Sequence, residues 1–137
     1  MLLDSGEPFI ATGKNSPSLY AESAAILNAV KKVVCIPDEV DVISPNVIRS
    51  IKDLKRIMGL NSTSLDPKEI LNALASSAVS EKNACKCLNG LKKLRGCEMH
   101  TTHLLTKGNE KTLSQMGLIL TTDAKLPFPD YRPTWNR

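Results

Sequence analysis

An α/β fold is what this sequence predicts, on three observations. Apolar residues at helical spacing alternate with short β-prone runs, capping residues or proline stand at the starts of the helical stretches, and glycine stands at their ends. Because the β-prone runs are short, the expected sheet is small and mixed, with about four to five strands covered by helices. A length of 137 residues suits one domain rather than two. With 42% hydrophobic and 23% charged residues the chain reads as globular rather than disordered. The net charge of +4 is mild and scattered, so no nucleic-acid partner is expected. No apolar run is long enough for a membrane span. Met1-Leu2-Leu3-Asp4 lacks the basic start and apolar stretch of a secretion signal, and the expected location is cytoplasmic.

Leu2 to Gly13 reads as a hairpin turning at Asp4-Ser5-Gly6. Ser16-Pro17-Ser18 opens a helix from Leu19 to about Val34 that is apolar nearly all round, the pattern of a buried helix, and Pro37 stops it. Val40-Asp41-Val42-Ile43 is read as a short strand. Ser44 then caps a helix with Pro45 at its first position, Val47, Ile48, Ile51, Leu54 and Met58 on one face, and Gly59 at its end. Asp66 caps the next helix, with Glu69 placed to return the bond. Ser80 caps a fourth, in which Ala84, Cys87, Leu88, Leu91 and Leu94 recur at helical spacing up to Gly96. These two consecutive helices, between Asp66 and Arg95, are expected to form a helical pair on one edge of the sheet. Cys97 to Leu105 is the strongest strand, Asn109 caps a short helix that Gly117 ends, and Leu118 to Thr122 is a final strand. Residues 126–137 hold three of the eight prolines and three of the five aromatics, which predicts an extended arm beyond a single domain at 1–125.

Four cysteines, Cys35, Cys85, Cys87 and Cys97, are read as reduced thiols buried in the core. Cys85 and Cys87, two apart on a helix, point about 200° away from each other, which suits neither a shared metal nor a redox pair. Thr12-Gly13-Lys14-Asn15-Ser16, between a strand and a helix start, has the ingredients of an anion site: backbone that a ligand approaches closely at Gly13, charge from Lys14, and helix N–H groups pointing outward. A generic strand-to-helix turn accounts for the same residues. The turn is not a phosphate-binding P-loop, since Pro8 stands where that motif needs its first glycine. Glu22, Ser23 and Asn28 are polar interruptions of the apolar helix, and Asn28 is expected to cap a neighbouring backbone group.

Period two along the strand puts Glu98, His100 and Thr102 on one face. An acid beside an imidazole orients it for proton transfer, so Glu98 and His100 read either as an acid–base pair or as a hydrogen-bonded polar pair at a domain contact. Cys97-x-x-His100-x-x-His103 invites zinc, but odd spacing on a strand sends successive ligands to opposite faces, and no metal is assigned. No Gly-x-Ser-x-Gly nucleophile motif occurs.

Several of these stretches together resemble one bacterial family. They are Thr12-Gly13-Lys14, Ser23 to Lys31, Ile43 to Ile48 with Leu54-Lys55, Ala73 to Val79, and Lys93-Leu94-Arg95-Gly96-Cys97-Glu98-Met99-His100-Thr101-Thr102. The last is specific, because strand composition in general does not require it. The family consists of longer cytoplasmic proteins of unknown function, some labelled ATP-dependent peptidases without an established catalytic residue. The resemblance covers residues 7 to 124 and implies the C-terminal domain of such a protein, with a glycine-rich phosphate loop upstream. It also implies a three-layer α/β sandwich of cytidine-deaminase-like topology. The deaminase zinc signature is absent, so the likeness of fold implies no deaminase activity.

The leading expectation is therefore a non-autonomous C-terminal domain or fragment that serves packing, oligomerisation or completion of a ligand site. Its partners would be the upstream domain or further copies of itself, and an apolar face would be left exposed for docking. The alternative is an enzyme subunit that holds a phosphate- or carboxylate-bearing ligand at Gly13, Lys14, Asn15 and Ser16, with Glu98 and His100 as its acid–base pair. No cofactor is expected. A third reading has Phe128, Tyr131 and Trp135 of the arm embracing a partner.

Overall fold

Helix α1 (Ala21–Val33) forms where the sequence is most apolar, and Lys32 is its only exposed residue. The computed structural model describes residues 8–123, so the expected turn at Asp4-Ser5-Gly6 and the arm at 126–137 lie outside the described residues. Residues 10–15 run back along α1, tied to it by side chains: Asn28 Nδ2 donates to the Thr12 carbonyl at 2.7 Å, Lys32 Nζ to the Ile10 carbonyl, and the Ala21 N–H to Asn15 Oδ1 at 2.7 Å. Asn28 thus caps backbone, as expected. A Cβ on Gly13 would lie 2.9 Å from Ala25 Cα and closer still to the Ala21 carbonyl and Ala25 nitrogen, so this close approach requires glycine.

Helix α2 (Pro45–Ile57) begins with Ser44 in the cap position and Pro45 at its first turn. It ends in a Schellman turn: Gly59 at φ +74°, with the Gly59 N–H bonded to the Arg56 carbonyl and the Leu60 N–H to that of Lys55. α3 (Pro67–Ala78) carries the expected capping box, the Glu69 N–H donating to Asp66 Oδ1 at 2.8 Å and the Asp66 N–H to Glu69 Oε1 at 3.0 Å. α4 (Lys82–Gly90) starts after Glu81 rather than at Ser80, and its periodic pattern continues only as a 3-10 turn, Leu91–Leu94. Strand β1 (Glu98–Thr101), helix α5 (Lys107–Gln115) and strand β2 (Ile119–Thr122) make a β–α–β unit whose strands pair in parallel, Glu98 with Ile119 through Thr101 with Thr122. The chain is accordingly mixed α/β, with five α-helices and a two-stranded parallel sheet among the described residues.

Three expectations are corrected here. Val40–Ile43 is no strand; Val42 and Ile43 are buried, but the segment is an irregular loop, with a Val40 N–H to Pro37 carbonyl turn and Lys31 Nζ on the Asp38 carbonyl. Its apolar residues pack without any ladder beside them, and a run this short does not reveal its period. Cys97 to Leu105 is a strand over only four residues, since the chain bends away after Thr101. α3 and α4 pack on each other but not at an edge: α3 also touches α1, α2 and α5 and contributes the fully buried Ile70, Ala73 and Leu74. Around it gather Ile26, Val30 and Val33 of α1, Ala84 and Cys87 of α4, Leu94, and Leu113 of α5. Leu65, also fully buried, bridges in parallel to Leu19, and its carbonyl accepts from Ser23 Oγ at 2.8 Å.

Candidate functional site

A cleft of about 650 Å³ opens between the N-terminal half of α1, the segment at residues 9–13 and strand β1. Its lining includes the apolar Phe9, Ile26, Leu94 and Leu118 and the polar Glu22, Glu98, His100 and His103.

Strand β1 places the expected pair as period two requires. Glu98 and His100 are exposed on one face, with Thr101 buried on the other, and both line the cleft. The carboxylate that His100 meets is nevertheless that of Asp123: its Nε2 lies 3.2 Å from Asp123 Oδ2, and its Nδ1 lies 2.8 Å from Oγ1 of its cross-strand neighbour Thr121. Pairing with the parallel strand thus supplies both partners, and this information is remote in sequence.

The Thr12–Ser16 turn divides. Thr12 and Gly13 line the cleft; Lys14, Asn15 and Ser16 are exposed outside its lining. Asn15 Oδ1 takes the Ala21 N–H, and Ser16 Oγ takes the Leu19 N–H at 3.0 Å, so two donors at the helix start are occupied by the chain's own side chains. Local capping accounts for these two residues.

Sequence reasoning left Glu22, His103 and Asn109 unconnected, and the fold joins them. Glu22, 4% exposed on the first turn of α1, meets His103 Nε2 at 2.9 Å through Oε2, and accepts from Asn109 Nδ2 at 3.0 Å through Oε1. Asn109 was expected to cap α5; Thr106 does so instead, accepting the Asn109 N–H at 3.1 Å, which frees the Asn109 amide for Glu22. The available signal was an acid within an apolar helix face, because a buried carboxylate requires donors. His100 and His103 therefore serve different carboxylates, and among the described residues no three His, Cys, Asp or Glu side chains converge as a metal would require.

The cysteines divide as well. Cys87 is fully buried and Cys97 half-buried, whereas Cys85 and Cys35 are exposed, which corrects the expectation of four core thiols. Cys85 and Cys87 diverge as two residues apart on a helix must, and Cys35 occupies the left-handed position after α1 at φ 60°. Burial pushes the Cys87 thiol up from its ordinary range, against the pull of Lys31 and Lys86, and burial raises Cys97 also.

Fold and cleft together define a small mixed α/β domain with a solvent-open site whose two imidazoles are each held by a carboxylate. The family model described as domain of unknown function DUF1846, C-terminal, matches residues 1–130, and the chain belongs to that family, as the resemblance implied. A UPF0371 protein of Corynebacterium aurimucosum is 39% identical over 115 residues, covering 83% of this chain and 23% of that protein. A UPF0371 protein of Clostridium tetani is 39% identical over 119 residues, covering 86% and 24% respectively. A third, from Clostridioides difficile, is 34% identical over 119 residues, again covering 86% and 24%. The chain thus spans about 24% of the length of the curated relatives it matches. No helix among the described residues is long and apolar enough to cross a membrane.

Proposed function

We propose that this chain acts as a dependent C-terminal domain: it docks on the polypeptide that its longer relatives carry upstream, and its cleft supplies one wall of a ligand site completed there. The observation that supports this most directly is the apolar end of α2. Leu54, Ile57 and Met58 are 54%, 82% and 64% exposed, and the Schellman turn returns Leu60, 47% exposed, toward the same end of the helix. Isolated exposed leucines are ordinary, but a cluster of large apolar side chains at one helix end marks an interaction surface. Residues 1–125 would be the docking domain and 126–137 an arm beside it. In the assembled protein the two strands would belong to a larger mixed sheet of three-layer, cytidine-deaminase-like topology, and the location would be cytoplasmic.

The test is association of the 137-residue chain with the separately expressed upstream part of the Clostridium tetani relative, measured calorimetrically. Binding weakened at least tenfold by Ile57→Asp supports the reading. No association, or association indifferent to Ile57→Asp and Met58→Asp, removes it. Self-association lost in the same variants would instead identify a second copy as the occupant.

A second reading is favoured by one observation: Gly13 and the Glu98–His100 pair, remote in sequence, line one cleft. In that reading the chain is an enzyme subunit, with Glu98 and His100 exchanging protons with a ligand whose anionic end reaches Lys14, Asn15 and Ser16 at the edge. Amide shifts of residues 13–16 on titration with inorganic phosphate would support it, and their absence would count against the anionic end.

A further inference from the structure

Glu22 is buried, and each of its carboxylate oxygens meets a donor, Oε1 from Asn109 and Oε2 from His103. A carboxylate only accepts, so the proton of the 2.9 Å contact belongs to His103 Nε2, and in the neutral ring Nδ1 is then the lone-pair nitrogen. The ring lines the cleft with its side chain 40% exposed, and Nδ1 has no partner among the described residues. The His103 carbonyl is also held, by Thr101 Oγ1 at 3.0 Å and Thr122 Oγ1 at 3.4 Å. His100 differs, with both ring nitrogens engaged.

We propose that His103 is the general base of this cleft, with Glu22 as its positioning residue, and that it activates a protic nucleophile against an uncharged carbonyl carbon. In hydrolysis, a water gives one proton to Nδ1 while its oxygen forms the bond to the carbonyl carbon. The carbon–oxygen bond to the leaving group then breaks, and the proton on Nδ1 passes to the departing oxygen or to solvent. Between these steps the imidazolium lies against the Glu22 carboxylate, which stabilises its charge. The reacting end carries no negative charge because the cleft is lined by Glu22 and Glu98 and by neither lysine nor arginine. A volume of about 650 Å³ fits a small organic molecule. This inference goes beyond the docking reading and does not need it, since every group named lies in this chain.

The experiment is steady-state hydrolysis of p-nitrophenyl acetate by the 137-residue chain. Expected are turnover faster than by free imidazole at equal concentration, a slower rate in D2O, and a loss of at least about tenfold in His103→Asn and in His103→Gln. Glu22→Gln still accepts the Nε2 proton but lacks the charge, so kcat falls while KM holds, a split that a purely structural Glu22 would not produce. In the unsubstituted protein, ethoxycarbonylation located at His103 by mass spectrometry abolishes turnover, so the result does not depend on the variants folding. A rate no faster than imidazole, or one insensitive to modification of His103, overturns the proposal. An accumulating acyl-His103 adduct does so too, since the ring would then be a nucleophile, as does a His103-dependent preference for p-nitrophenyl phosphate.

Discussion

Gly13→Ala tests the wall of the cleft directly. The added methyl would meet backbone of α1, with Ala25 Cα at 2.9 Å and two polar backbone atoms nearer, and backbone gives way only if the whole segment retreats. A retreat of about 1 Å carries the Asn28–Thr12 and Asn15–Ala21 bonds, both 2.7 Å, past hydrogen-bonding range. Two such bonds are worth about 1 kcal/mol each, and residual crowding brings the total to about 2–3 kcal/mol. With a urea dependence of about 1.5 kcal/mol/M, the midpoint should drop by about 1.3–2 M at unchanged slope. Gly108→Ala is the control: nothing lies within 4 Å of its added Cβ in the first turn of α5, so it should stabilise by about 0.5 kcal/mol. A Gly13→Ala protein that unfolds at the wild-type midpoint, or two variants that behave alike, would refute the close packing of this segment on α1.

Two further outcomes are expected. Lys55, its side chain 10% exposed, is held at 2.7 Å by both Glu69 Oε1 and the Ser64 carbonyl, so Glu69→Gln, whose amide oxygen keeps both the capping box and the Lys55 hydrogen bond, should cost about 1–2 kcal/mol by removing the ammonium's counter-charge. Glu69→Ala should cost about 1 kcal/mol more through the lost cap, and equal urea midpoints for the two variants would contradict this division. Cys87 is raised by burial, so both states are protonated below the unfolded thiol's range, and its contribution to stability is fully present there. As the pH climbs through about 8.5 the unfolded chain releases a proton that the folded chain keeps, and stability falls. Unfolding free energies from pH 7 to about 10 should therefore decline less steeply in Cys87→Ala, and an unchanged slope would rule the cysteine out as a source.

Much of the architecture was legible because it is written locally. Asp66 and Glu69 sit three apart and cap each other as that spacing demands, and Gly59 and Gly117 end helices with positive φ. The polar residues of α1 stand out against its apolar pattern, and Asn28 meets a backbone carbonyl as expected. The site was less legible. Period two correctly placed Glu98 and His100 on one exposed face, yet the acid that His100 meets follows Thr122 at the end of the neighbouring strand. Val40–Ile43 has the composition of a strand yet is a loop, because so short an apolar-rich run buries its residues equally well without a ladder.

Composition and spacing alone settled the α/β class, both ends of α2, the capping box of α3 and the family likeness, since each depends on neighbours a few residues apart. The convergence of Glu22 with His103 and Asn109 required folding. A buried carboxylate finds its donors through tertiary packing, and these come from 81 and 87 residues further along the chain. The same packing left Leu54 exposed: two steps of three residues from Ile48 carry it about 120° round α2, whereas Lys55, seven residues after Ile48, falls back on the packed face and is buried against Ser64 and Glu69.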